Sequence, residues 1–219
     1  MPSAATSRAR PIVARPDVQV ERDVDLEAHS ATGAAHWVAR PYEQSYLLSV
    51  TGITLRQPVP SDEAQVAEAQ RIMALEGFVF AFDYTPGDDF AKWIELVAEG
   101  RLGKNMLPGW VPSSWELAIV EQRVAGRLSV RHALNDFLLR KGGHIGYGVL
   151  PAFRGRGIAK RMLQRGLELT RALGIERALV TCDENNGPSR HIIESAGGIY
   201  ESSYTDTDGS VPVRRYWFS

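Results

Sequence analysis

Between Gly146 and Ala159 the chain reads Gly-Tyr-Gly-Val-Leu-Pro-Ala-Phe-Arg-Gly-Arg-Gly-Ile-Ala, and this run limits the fold more than any other. Ile145, Tyr147, Val149 and Leu150 suit a strand, and Pro151 ends its ladder because proline has no N–H to give. Beyond the glycines, Ile158, Ala159, Met162, Leu163, Leu167, Thr170 and Leu173 fall on one face at helical period. Lys160, Arg161, Gln164, Arg165, Glu168 and Arg171 fill the other faces, and Gly174 supplies a left-handed stop. The glycines therefore sit between a strand and a long amphipathic helix. A helix start presents N–H groups with no internal partner, so this turn attracts an anion, and a diphosphate suits it.

Two phosphate-binding patterns fit poorly. A P-loop ends in Gly-Lys-Ser/Thr, whereas Gly157-Ile158-Ala159 has neither the lysine nor the hydroxyl. The dinucleotide fingerprint needs a third glycine where Lys160 stands, and it belongs near the first strand of its unit, not late in the chain.

The run resembles the loop of the GNAT superfamily of acyl-CoA-dependent N-acetyltransferases, Arg/Gln-x-x-Gly-x-Gly/Ala, through Arg154, Gly157 and Ala159. The flanking Val-x-Pro-x-x-Arg-Gly-x-Gly is matched by Val149, Pro151, Arg154, Gly155 and Gly157. A second block is also similar: the strand ending Val180-Thr181-Cys182-Asp183, then Asn186-Gly187-Pro188-Ser189, then Ile192 to Gly198. The resemblance covers about Thr51 to Ser219. Arg131-His132 and Gly142 to Tyr147 look like a little-characterised subgroup of predicted acetyltransferases.

The resemblance implies acetyl-CoA as acyl donor and a primary amine, on a small molecule or a peptide, as acceptor. The diphosphate would rest on the N–H groups of Arg154, Gly155, Arg156, Gly157, Ile158 and Ala159, with Arg154 or Arg156 adding a charge. The Val149 N–H, with Tyr147 and Leu150 beside it, would face the pantetheine and polarise the thioester carbonyl. Asn186 would face the pantetheine from the next strand, with Ser189 at the adjoining helix start. His144 is the first candidate for the base that frees the amine, with His132 and Glu116 behind it. One departure stands out. Where many members carry a tyrosine that protonates the leaving thiolate, this chain has Ile193. Cys182 reads as a core residue. The competing function is an acyl-CoA-binding regulatory or interaction module without transfer activity.

The remaining sequence is consistent with an α/β domain. Ile53 to Arg56, Trp115 to Glu121, Arg127 to His132, Ala178 to Cys182, Ile199 to Tyr204 and Val211 to Phe218 read as strands, with a turn expected at Val124-Ala125-Gly126. Helices are expected from Ser61-Asp62-Glu63 to Gly77, from Phe90 to Ala98, and from Ser189 to Ala196, with an irregular loop over Gly100 to Pro112. Hairpins combined with helical crossovers imply a mixed, mostly antiparallel central sheet flanked by helices, the GNAT-like fold. Residues 50–219 would form that domain and residues 1–49 a partly flexible N-terminal extension. Phe78, Phe80, Phe82, Tyr84, Trp93 and Trp110 are candidate aromatic walls of the acceptor pocket.

The formal net charge of −1 over 219 residues argues against nucleic acid or an anionic membrane as partner. One cysteine rules out an internal disulfide and any Cys-cluster metal site, and suggests a reducing, cytoplasmic location. No metal is expected. Family members often dimerise, so a homodimer is an expectation from the resemblance.

Overall fold

A computed structural model describes residues 52–207 and 209–219. The expectations for residues 1–49 lie outside the described residues. Seven strands form one sheet in the order β1-β2-β3-β4-β5-β7-β6. They are β1 (Ile53–Arg56), β2 (Ser113–Val120), β3 (Arg123–Arg131), β4 (Ile145–Val149), β5 (Ala178–Asp183), β6 (Ile199–Tyr204) and β7 (Val213–Phe218). Every neighbouring pair is antiparallel except β4 and β5, so the sheet is mixed and mostly antiparallel as expected. The four α-helices among the described residues are α1 (Glu63–Ala74), α2 (Phe90–Arg101), α3 (Ile158–Ala172) and α4 (Gly187–Ser195). None of them is long and apolar enough to cross a membrane.

Side chains alternate across a strand, so the helices can be assigned to faces. Glu116 on β2 reaches Arg165 on α3, whereas its neighbour Trp115 packs edge-on against Trp93 of α2 at 5.0 Å. One face therefore carries α2 and the other carries α3; the end of α1 joins the α2 face, because Phe78, whose N–H donates to Met73 O of α1, stacks on Arg127 there. The α3 face is closed by Ile158, Met162, Leu163, Leu167 and Thr170, the stripe read from the sequence, together with Leu169; Leu173, in contrast, is 42% exposed. Gly166 allows α3 to lie tight on β4, since a Cβ there would come 2.7 Å from Ile145 Cγ2. On the other face Phe80, Tyr84, Phe90, Trp93 and Trp115 form a buried aromatic cluster.

Several local expectations need correction. The β2–β3 hairpin turns at Glu121-Gln122, whose φ values of 49° and 63° are the left-handed pair of a two-residue turn. Val124-Ala125-Gly126 lies within β3. Gly126 is there because the sheet is crowded above it: a Cβ would meet the Gly148 carbonyl oxygen at 2.5 Å. Helix α2 runs on to Arg101, so the irregular loop is shorter than expected. Asp62 does not cap α1 with its side chain. Its carboxylate instead pairs with Arg56 at 2.7 and 2.8 Å and accepts from the Val59 N–H, tying β1 to the start of the helix.

Candidate active site

The site is a wedge in the sheet between β4 and β5. One pair of residues, Ile145 and Val180, is in register between these parallel strands, and beyond it they separate. The β3–β4 ladder fixes where the β4 N–H groups aim. Leu150 N–H donates to Ala125 O at 2.9 Å and Arg131 N–H to His144 O at 2.7 Å, which makes 125/150, 127/148, 129/146 and 131/144 the hydrogen-bonded pairs. Tyr147 and Val149 occupy the alternate positions, so their N–H groups turn away from β3 toward the wedge. Tyr147 is the first such residue past the last paired rung, and Val149 lies nearer the mouth. Leu150 contributes no N–H to the wedge, because Ala125 has taken it.

At the mouth, the chain makes a 3₁₀ turn over Pro151–Phe153, pinned by the buried Phe153 ring, and then enters α3. Gly155 and Gly157 have φ values of +74° and +77°, in the left-handed region that side chains disfavour. A Cβ at either would meet nothing within 4 Å. Backbone shape therefore requires these glycines, and the space beside them is open. Arg161 N–H to Gly157 O at 3.1 Å is the first helical rung. The N–H groups of Ile158, Ala159 and Lys160 lie above that rung and point out of the helix start.

The two loop arginines differ. Arg154 folds back, with its Nε donating to Val149 O at 3.1 Å and its Nη atoms making a two-pronged pair with Glu76. Its charge is therefore already matched, contrary to the expectation of a phosphate contact. Arg156 is half exposed and stands 3.8 Å from Glu121, so it is the better placed to meet a phosphate.

Across the wedge, Asn186 Oδ1 accepts from Ser189 N–H at 3.1 Å and so caps α4. Ser189 Oγ lies 3.0 Å from the Tyr147 hydroxyl, a bond that joins β4 to α4. Burial pushes the Tyr147 phenol up to about 12, only partly offset by Ser189. Ile193, in the next turn of α4, is wholly buried in the core. Cys182 is also buried, and burial raises its thiol to about 11, so it is held in its protonated, unreactive form.

The candidate bases are all engaged. His144 is buried, and its Nδ1 accepts the Leu179 N–H at 2.9 Å. Burial, then the nearby Arg131, hold its pKa below the ordinary histidine value. A neutral ring that accepts at Nδ1 carries its proton on Nε2, so neither nitrogen can take a proton unless the bond to β5 breaks. The structure thus makes His144 the pin at the apex of the wedge, not the base. Glu116 forms a two-pronged pair with Arg165 at 2.9 and 3.1 Å, which removes it too. His132 Nε2 is 2.9 Å from Ser114 Oγ, and burial followed by Arg101 lowers its pKa.

Of the proposed aromatic walls, Phe80, Tyr84 and Trp93 are core. Phe78, Phe82 and the half-exposed Trp110 remain, with Phe82 and Trp110 meeting edge-to-face at 6.0 Å. Sequence reasoning missed Arg127. It lies on the α1/α2 face between the Phe78 and Phe82 rings, at 4.6 and 4.7 Å. The available signal was Arg127, Ser129 and Arg131 at every second position of one strand, which puts three polar side chains on one face.

A sheet opened between two parallel strands, with a helix start and left-handed glycines at its mouth, defines an acyl-CoA-type acyltransferase. The model of the Acetyltransferase (GNAT) domain matches residues 53–199, and the chain belongs to that family. Solved structures with the same fold include a probable acetyltransferase, 20% identical, with a TM-score of 0.58 over 77% of this chain and 93% of that one. Another is the ribosomal-protein-S5-alanine acetyltransferase from Vibrio fischeri, 15% identical, with a TM-score of 0.58 over 76% and 92% of the two chains. A third is a putative acetyltransferase from Salmonella typhimurium with its cofactor acetyl-CoA, 15% identical, with a TM-score of 0.53 over 77% and 94%. No curated protein sequence matches the chain significantly.

Proposed function

We propose that the protein transfers an acetyl group from acetyl-CoA to a primary amine, by direct attack within a ternary complex. The observation that carries this reading is the β4–β5 wedge, reduced to one paired rung and opening onto the helix start at Gly157. The diphosphate would lie against the N–H groups from Gly155 to Lys160, helped by the helix dipole at about 0.3–1 kcal/mol per favourable charge. Arg156 would supply the side-chain charge, while Arg154 keeps the loop in shape through Glu76 and Val149.

The pantetheine would extend along β4 as a surrogate strand, accepting from the Val149 N–H. The thioester carbonyl then falls nearer the apex than the Val149 N–H to which the resemblance assigns it, and the Tyr147 N–H is the next donor along. An oxyanion donor of this kind is worth about 2.7–4 kcal/mol in the transition state. Asn186 and Ser189 would line the opposite rim.

Departure of the thiolate needs no full proton transfer from the protein. An ordinary thiol titrates near 8.5, whereas burial pushes the Tyr147 phenol up to about 12. Moving the proton from phenol to thiolate would be uphill by several kcal/mol, at about 1.36 kcal/mol per unit. Tyr147 would instead stabilise the thiolate by donating a hydrogen bond, with water completing protonation.

The test is release of free CoA from acetyl-CoA across a panel of amines, run beside calorimetric binding of acetyl-CoA. Amine-dependent CoA release with acetylated product supports transfer. Tight acetyl-CoA binding with no amine accepted across a broad panel would favour the non-catalytic binding module.

A further inference from the structure

We propose that the α1/α2 face of β3 and β4 binds the carboxylate of the acceptor, so that the amine acetylated belongs to an amino-acid-like molecule. This rests on the transfer reading above and extends it to the class of acceptor.

The face carries more buried donors than it satisfies. The Arg127 side chain is almost fully buried, donating from Nη1 to Ser129 Oγ at 2.8 Å and from Nη2 to Val79 O at 3.0 Å. Its Nε is buried with no partner among the described residues, and so is Nε1 of Trp115. Trp115 pairs directly with Ser129 across β2 and β3, which puts both unmatched donors on the same face. Arg131, two residues along, donates to Gly142 O at 3.3 Å. Neither guanidinium has a carboxylate partner among the described residues. Burial, followed by its neighbour Arg131, lowers Arg127 to about 9, and burial lowers Arg131 to about 10. Both remain cations at neutral pH. Two adjacent cations, Arg127 buried and Arg131 partly exposed, are costly without a counter-charge, and a bound anion relieves that cost.

The glycines of β4 bring this charge to the wedge. A Cβ on Gly146 would come 2.8 Å from Arg131 Nη1, and one on Gly148 would strike the Phe78 ring at 2.5 Å. Without those Cβ atoms, Arg131 and Phe78 lie flat against β4 on either side of Tyr147. An anion on Arg131 is then about one residue from the N–H proposed to hold the thioester carbonyl. Its amine must reach that carbon, so amine and anion are separated by a few atoms. Arg131 is partly exposed and makes the contact, whereas Arg127 lies behind it and holds the local charge. The planar guanidinium fork of Arg131 matches the two oxygens of a carboxylate.

The experiment uses the full chain saturated with acetyl-CoA and follows CoA release. Acceptors come in matched sets: an α-amino acid, its amide, the corresponding decarboxylated amine, and phosphoethanolamine. The amino acid should exceed its amide and amine in kcat/KM by about 10- to 100-fold, the effect of one charge-assisted contact. Arg131→Gln should reduce that advantage to within about threefold, and Arg131→Lys should restore part of it. Affinity for acetyl-CoA monitors the fold of each variant. Amides and amines that match the acids, phosphoethanolamine that outperforms them, or an advantage that survives Arg131→Gln would each overturn the inference. If nothing is turned over, calorimetry in the presence of CoA decides. Binding of amino acids but not amides, lost in Arg131→Gln, upholds it, and no carboxylate binding overturns it. Failure of acetyl-CoA itself to bind would instead remove the transfer reading.

Discussion

Replacing Gly157 separates what the phosphate loop owes to backbone shape from what it owes to charge. The residue has φ +77° and ψ 1°, and a Cβ built on it touches no atom within 4 Å. Gly157→Ala therefore costs the left-handed conformation and little else, about 1–2 kcal/mol. At about 2–4 °C per kcal/mol for a domain of this size, melting falls by about 2–8 °C. Gly157→Glu carries the same backbone cost and adds a carboxylate where the diphosphate would lie. Two unit charges about 4 Å apart near a protein surface interact by about 4 kcal/mol, which is about a thousandfold in affinity. Gly157→Lys matches the backbone strain with the opposite sign of charge. Calorimetric titration with acetyl-CoA, with circular dichroism and melting as controls, should rank the affinities as glycine, then alanine and lysine, with glutamate far below. A folded glutamate variant that binds within about threefold of the parent would refute the loop assignment. A lysine variant as weak as glutamate would show that bulk, not charge, sets the effect.

Gly126→Ala should lower stability by about 1–3 kcal/mol, because the new Cβ strikes a backbone carbonyl that cannot swing away. Gly187→Ala, which meets nothing within 4 Å, should leave melting nearly unchanged, and equal effects would contradict the crowding argument. Glu116→Gln should destabilise, since Arg165 loses its closer charged partner and keeps only Glu168 at 3.6 Å, yet leave the acidic limb of the pH–rate profile in place. Loss of that limb would return Glu116 to the list of bases. Tyr147→Phe should slow turnover by about 10- to 100-fold, the value of one hydrogen bond to a charged group, and leave the alkaline limb unmoved. A shifted limb would mean that the phenol does transfer its proton. His144 and His132 have pKa values depressed in the fold. Below about pH 6.5 the unfolded chain takes up protons that the folded chain refuses. Their contribution to stability is thus complete above about pH 6.5 and declines as pH falls toward the lower folded values. Melting should be lower at pH 5.5 than at 7.5, with a shallower slope in His144→Gln; an unchanged slope would remove His144 from the account.

The segment from β4 through α3 was legible because its determinants are local. Left-handed glycines, a strand-ending proline and a 3.6-residue apolar period each act within a few residues, and α3 appears over Ile158–Ala172 with Gly174 at φ +74° behind it. The β2–β3 turn was not legible. Glu121-Gln122 adopts positive φ without a glycine, while the glycine that suggested a turn, Gly126, answers to Gly148 on the neighbouring strand.

The roles of the polar side chains followed the same division. His144 finds its partner 35 residues away on β5, and Arg154 finds Glu76 at a separation of 78. No window of sequence contains both ends of either bond, so a histidine placed for catalysis and one placed to hold two strands read alike. Arg127 illustrates the converse: its strand position was evident, but its lack of a counter-charge is a property of everything packed around it. By itself the sequence determined the glycine turn after β4, the helix behind it and the class of sheet, through forces that act between near neighbours. Tertiary structure alone decided which charges are paired and which lack a counter-charge, because pairing and burial depend on segments brought together from distant parts of the chain.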